Sequence, residues 1–248
     1  LSRWMITLPR SCATKHKVMA FFQEYDIHKW TAGREKGRSG YEHWQIRFES
    51  SQFNYGKEYD PDGFALIKDW FPEAHIEANA SDDYEYEKKE GRYFDCEDND
   101  EKIMQRYGPF RDSQRRFIDA LEQSGDREIV CWVDPQGSAG KSWLCGALYE
   151  RRLGFYTPPF MDSAKEIVEF VCSGFRGERY VILDLPRDLK WTTKIYTAIE
   201  AIKDGLLADR RYHASTRNIR GVKVGCLTNS RPSLDRLSRG RWVIYEPS

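Results

Sequence analysis

The stretch Asp134-Pro-Gln-Gly137-Ser-Ala-Gly140-Lys141-Ser142 carries the residue types that bind phosphate. Glycines let backbone N–H groups turn inward around phosphate oxygens. A helix starting at the lysine aims the positive end of its dipole at them. Lys141 has the reach for the β- and γ-phosphates, and the Ser142 hydroxyl for a Mg²⁺ ion. The spacing is irregular, because Pro135 stands where such a loop usually has its first glycine and Gly137 comes two residues later. Further on, Val181-Ile-Leu-Asp184 ends an apolar run in an acid, where a second Mg²⁺-binding group belongs. Gly225-Cys-Leu-Thr-Asn229 ends another in an amide suited to sense the γ-phosphate or orient a water. Gly137, Gly140, Lys141, Ser142, Asp184 and Asn229 therefore form a candidate ATP site, with Ser142 and Asp184 on its Mg²⁺. No second acid follows Asp184, and Leu185-Pro186-Arg187 stands there instead. Glu200 and Asp204 are the options left for a general base. Arg236, Arg239 and Arg241 are candidates for a guanidinium that stabilises transition-state charge.

A second chemistry is spelled nearer the N-terminus. In a strand, His43 and Gln45 of His43-Trp44-Gln45-Ile46 share one face, while Trp44 and Ile46 pack on the other. Glu35, on the neighbouring strand, adds a carboxylate. Imidazole nitrogen, amide oxygen and carboxylate together suit Mg²⁺ or Mn²⁺ with positions left for a phosphate. Tyr86 and Lys89, three apart, share a helical face. A tyrosine attacks at neutral pH only with a positive neighbour or a metal-bound electrophile, because its unperturbed pKa is about 10. Spacing alone equally fits a solvated Glu/Lys helix with one buried aromatic.

These residues need elements to hold them. Apolar spacing predicts a strand over 4–8, a helix over 15–25, and a hairpin of 29–31 and 41–49 about a turn-rich 33–40. A short helix over 64–71, a strand over 75–78 and a charged helix from about 83 follow. That is an α+β domain over 1–106, an antiparallel sheet with helices. Residues 107–126 read as a linker and oligomerisation helix, with 114–124 helical. Strands over 128–133, 180–185 and 222–228 alternate with helices over 141–153 and 192–204, the logic of an α/β parallel-sheet domain over 127–248.

The 248 residues are 40% hydrophobic, 31% charged and 14% aromatic, which excludes a disordered chain. No run approaches the length of a membrane span. The six Cys show no Cys-x-x-Cys spacing, which argues against a zinc ribbon or disulfide scaffold and for an intracellular setting. A chain that begins with Leu reads as part of a longer protein. Net charge is zero, but residues 1–106 carry 16 basic and 21 acidic groups and residues 107–248 carry 23 and 18. The basic second half is a possible electrostatic footprint for nucleic acid.

Taken together, the motifs resemble the replication initiators (Rep proteins) of small circular single-stranded DNA viruses and related bacterial rolling-circle plasmids. The similarity spans nearly the whole chain. WMITLP at 4–9, GREKGRSGYEHWQIRFE at 33–49 and WFPEAHIEANASDDYEYEKKEGRY at 70–93 resemble, in order, the three motifs of the initiator endonuclease. The second domain resembles a superfamily 3 helicase ATPase, AAA+-like in fold. Asp184-Leu-Pro-Arg187 and IEAIKDGLL at 199–207 look most like the nanovirus and alphasatellite branch.

The resemblance implies an endonuclease whose metal sits on Glu35, His43 and Gln45. Its Tyr86, with Lys89, would nick origin single-stranded DNA at a stem-loop and form a 5′-phosphotyrosyl bond that is later rejoined. It implies ATP-driven 3′-to-5′ unwinding by a hexamer, with Arg241 as the arginine finger and Arg210, Arg211 and Tyr212 on the DNA. Host replication machinery would be the partner, in a prokaryotic cytoplasm for a plasmid protein or a host nucleus for a viral one. Other readings stay open at this point: a DNA-stimulated motor that does not nick, a binding protein with a dead ATP site, or an unrelated P-loop kinase.

Overall fold

In the computed structural model, the residues described are 1–53, 55, 62–161, 163–211 and 214–247. The chain divides into two compact units, Leu1–Asp100 and Glu101–Ser248. Among the described residues no helix is long and apolar enough to cross a membrane.

The first unit is built on alternation. In β1 (Ser2–Pro9) every second residue is buried, as a sheet with one face on a core requires. After α1 (Lys15–Glu24) come β2 (Trp30–Lys36) and β3 (Glu42–Ser50), then α2 (Gly63–Trp70), β4 (His75–Ala78), a single 3₁₀ turn at Tyr86–Lys88 and β5 (Tyr93–Asp95). The strands form one antiparallel sheet in the order β4-β1-β3-β2-β5. Trp4, Ile6, Trp44, Ile46 and Phe48 are fully buried on one face, where Phe21 of α1 meets Phe48 and Phe71 edge-on. The opposite face carries His43, Gln45 and Arg47. The hairpin turn is tighter than the sequence suggests, because Gly33 to Lys36 extend β2.

The charged stretch after Asp83 does not form the expected helix. Its side chains have tertiary partners that a helix would pull away. Glu87 is buried and bridges the buried Arg47 of β3 from both carboxylate oxygens, at 3.0 Å each. The Glu87 carbonyl lies so near β2 that a Cβ on Gly33 would stand 2.0 Å from its oxygen. Only glycine lets the turn lie this close to the sheet.

The second unit opens with α3 (Asp100–Tyr107) and α4 (Asp112–Gln123). Then follow β6 (Ile129–Val133), α5 (Lys141–Glu150), β7 (Gly154–Thr157), α6 (Ala164–Gly174), β8 (Tyr180–Asp184), α7 (Thr193–Asp204), the small antiparallel pair β9 (Leu206–Asp209) and β10 (Ser215–Asn218), β11 (Lys223–Thr228) and β12 (Trp242–Tyr245). The main sheet is parallel throughout, in the order β12-β6-β11-β8-β7. Its strands are apolar on both sides because both faces are covered. Ile129, Cys131 and Val133 of β6 pack with Ile167, Val171, Ile195 and Ile199 of α6 and α7. Val130 and Trp132 face the other way, toward Phe117, Leu121, Leu144 and Leu148 of α4 and α5. The helix expected as a linker over 107–126 is thus part of the second unit's core. Its Phe117 and Leu121, one turn apart, are fully buried.

Candidate functional site

Two sets of chemistry-bearing side chains are assembled, one in each unit. On the open face of the first sheet, Glu35 of β2 stands directly across from His43 of β3, and Gly33 from Gln45. Glu35 Oε2 and His43 Nε2 are 3.4 Å apart. Two neighbouring ligands of one octahedral cation, each bound at about 2.1 Å, lie about 3 Å apart, so a small contraction would let both meet one metal. His43 Nδ1 is buried with no hydrogen-bond partner among the described residues, so the ring is not committed to the fold at that atom. The Gln45 carbonyl oxygen accepts from Thr7 Oγ1 at 2.7 Å, which orients the amide. Among the described residues no group of three or more His, Cys, Asp or Glu gathers in metal-binding fashion. The set here has only two such residues, and the amide would be its third member.

The 86–88 turn brings the nucleophile candidate to this face. A 3₁₀ turn has about three residues per revolution, so Tyr86 and Lys89 still meet. The Lys89 ammonium lies 3.6 Å from the Tyr86 ring centre and 2.9 Å from Glu35 Oε1. Burial lowers the Lys89 pKa, but the Tyr86 hydroxyl and the Glu35 carboxylate more than reverse this and leave it above its ordinary value. Lys89 is therefore a fixed positive charge beside the phenol, not a base. Tyr86 is half exposed. Tyr84 differs: its hydroxyl is buried, and burial first, then the Glu49 and Asp82 carboxylates, push its pKa well up.

In the second unit the phosphate-loop residues follow the carboxyl end of β6. Chain order around the sheet reverses beside β6, whose neighbours are β11 and β12, and such a crevice favours ligands. Gly137, Ser138 and Gly140 all have positive φ, at 78°, 70° and 88°, which curls the loop. A cavity of about 480 Å³ is lined by Gly137, Gly140, Lys141, Ser142, Asp184 and Asn229, the whole set read from the sequence. That volume falls in the usual range for small-molecule sites. Trp143 and the exposed side chains of Arg111 and Arg187 line it too.

Three contributors had no clear signal in the sequence. Tyr156 of β7 donates its hydroxyl to Asp184 Oδ2 at 2.8 Å. Burial raises the Asp184 pKa, and Tyr156 and Lys141 partly offset that. Gln114 of α4 is fully buried and donates to the Gly140 carbonyl at 3.0 Å, tying the supposed linker to the loop. Asp134 accepts from the Gly137 and Ala139 N–H groups at 3.0 and 3.2 Å and pairs with Lys141 Nζ at 2.7 Å. Its contacts were not readable.

Other expected residues sit elsewhere. Arg241 is buried and held by Asp204 at 2.7 Å and Glu200 at 3.3 Å. It also donates to the Arg127 carbonyl. The guanidinium is engaged inside its own unit, Glu200 and Asp204 are its counterions, and neither of these two lines the cavity. Arg236 and Arg239 are exposed. Arg211 is bound to Asp209 and to the Glu169 carbonyl, while Arg210 is exposed at the end of β9. Tyr212 lies outside the described residues.

No protein-family model matches the chain, and no curated protein matches it significantly. Among solved structures, a formyltetrahydrofolate deformylase from Pseudomonas putida KT2440 aligns over 88% of this chain and 84% of its own, at 10% identity and a TM-score of 0.24. A superposition that loose carries no argument about fold or activity.

Proposed function

We infer that this chain is a rolling-circle replication initiator, a tyrosine endonuclease of single-stranded origin DNA joined to an ATP-driven unwinding motor. The observation that carries the reading is one run of contacts: half-exposed Tyr86 under the Lys89 ammonium, Lys89 on Glu35, and Glu35 beside His43. A nucleophile, a charge to favour its phenolate, and two metal-ligand types lie on one sheet face, which is what attack on a phosphodiester needs. The order of motifs that resembles the Rep proteins points the same way.

The Tyr86 phenol gives its proton to solvent and its oxygen attacks the scissile phosphorus, the P–O3′ bond breaks, and the departing 3′-oxygen takes a proton from solvent. The product is a 5′-phosphotyrosine that a 3′-hydroxyl later reverses without ATP. A divalent cation on Glu35, His43 and Gln45 would supply polarisation of the phosphate oxygens. Lys89 holds positive charge at the phenol, and Gly33 with the Arg47–Glu87 bridge holds the turn in place. In the second unit, Lys141 and the loop N–H groups would bind the phosphates of ATP, and Ser142 and Asp184 would hold its Mg²⁺. With Arg241 engaged, Arg236 or Arg239 is the finger reaching a neighbouring subunit of a hexamer.

The test uses a labelled single-stranded stem-loop library with Mn²⁺ and a denaturing gel. Wild type and Tyr84→Phe are expected to form a covalent adduct, and Tyr86→Phe none. An adduct that survives Tyr86→Phe would overturn the assignment. No adduct on any sequence, with ATP hydrolysis intact, would leave only the motor.

A further inference from the structure

The loop that would cradle phosphate already holds an anion, and the anion is its own. Asp134 directly follows β6 and has 8% of its surface exposed. Its carboxylate takes the Gly137 N–H, the Ala139 N–H and the Lys141 ammonium. These are the donors that the curled loop and its lysine would offer to phosphate oxygens. A carboxylate presents two acceptor oxygens in a plane, and here both are engaged by these donors. Charge-assisted bonds of this kind are among the stronger hydrogen bonds. Asp134 stands beside Pro135, at the point where the loop departs from the usual glycine spacing, so the irregular motif and the occupied loop are one feature.

A nucleotide phosphate and the Asp134 carboxylate cannot share these donors. Both are anions, and at hydrogen-bond distance inside a partly buried loop they repel strongly. We propose that Asp134 is an internal competitor for the phosphate position. Nucleotide binds by expelling its carboxylate from Lys141 and the loop N–H groups, so Asp134 sets the affinity of the site and holds it low. The proposal rests on reading this cavity as a nucleotide site. It assigns a role to a residue that has no part in the ATP set of Lys141, Ser142, Asp184 and Asn229.

The competition has a direction. Removing the carboxylate frees the donors for the ligand and removes the repulsion, so binding tightens. A residue that merely built the loop would have the opposite sign, since its loss would disorder the donors. Pyrophosphate should respond as ATP does, because the contest is over phosphate oxygens and not over the base.

The experiment measures the Kd of full-length protein for MgATP and for pyrophosphate by calorimetry. It compares wild type, Asp134→Asn, Asp134→Ala and Lys141→Ala, with a circular-dichroism melt of each. Asp134→Asn keeps the shape and loses the charge. Tightening of both ligands, on the order of 10-fold or more in Asp134→Ala and less in Asp134→Asn, is the expected result. Binding by wild type that Lys141→Ala abolishes, with no tightening in folded Asp134 variants, overturns the competitor and leaves the nucleotide site standing. Two Asp134 variants that fail to fold make the residue a structural anchor and overturn it as well. Absence of binding in wild type and in both folded Asp134 variants is a different signature, and it removes the nucleotide reading along with the proposal.

Discussion

At the scale of single residues, the second unit's site depends on side chains that hold the chemical ones still. Tyr156 binds one oxygen of Asp184, a residue that lines the cavity. Tyr156→Phe deletes one hydrogen bond and keeps the ring. Its melt is expected to stay close to wild type, while the Mg²⁺ concentration for half-maximal ATP hydrolysis rises on the order of 10-fold. A Mg²⁺ titration of phosphate release checks this, and an unchanged titration would make the bond incidental. In the first unit the decisive residue is Gly33. A methyl group there would meet the Glu87 carbonyl at 2.0 Å, and backbone cannot swing aside as a long side chain can. Gly33→Ala is expected to lower stability by about 1–3 kcal/mol in urea unfolding and to reduce adduct formation, because the turn bearing Tyr86 must lift off the sheet.

At the scale of elements, what was legible in the sequence followed periodicity and punctuation. β1, α1, α5, β8 and α7 announce themselves by apolar runs or helical spacing. The glycines of the loop and the acid ending β8 mark residues that the structure gathers around one cavity. The turn at 86–88 misled because its Glu/Lys pattern is helical, while its conformation is decided by Arg47, forty residues earlier. β7 is four residues long and shows no alternation, so nothing local marked Tyr156 as a partner of Asp184. In α4, Phe117 and Leu121 promised a buried face without saying what it meets. The helix is also fastened at its far end, where Glu122 hydrogen-bonds Arg179 and Tyr180. Arg179 and Tyr180 hold the Glu122 carboxyl down to about 2, against an ordinary 4.5. A carboxyl lowered in the fold gives stability that is complete above its unfolded value and disappears as pH falls toward the folded one. Melting temperature should therefore drop between pH 4.5 and 2, and less steeply in Glu122→Gln. The effect will be small because Arg179 is exposed. Parallel slopes would show that the pair does not contribute.

At the scale of the whole molecule, the boundary at Asp100 decides which pieces can stand alone. A fragment from residue 101 keeps Arg106, whose buried guanidinium pairs with Glu150 at 2.7 Å, and it keeps all of α4. A fragment from residue 127 loses both, uncovers Val130, Trp132 and Leu144, and frees the loop from Gln114. The first is expected to melt in one cooperative transition and bind MgATP. The second is expected to show no cooperative melt. Circular dichroism of the two pieces checks this, and a folded second piece would return α4 to the status of a connector. Chain neutrality also conceals a division, since the acidic excess lies in the N-terminal part and the basic excess beyond it. On the proposed reading, DNA contact in the first unit would rest on the local charges of its site rather than on bulk attraction.

Gly33 has a consequence for how descendants of this chain can vary. It has no side chain to do chemistry, yet the carbonyl above it admits only a hydrogen atom. Evolution should keep it as strictly as Tyr86 or His43 for as long as the turn stays seated. A survey of relatives that equates invariance with chemistry would enrol Gly33 in the active site. Its constancy is steric, and it would relax only in a lineage in which the 86–88 turn had left the sheet.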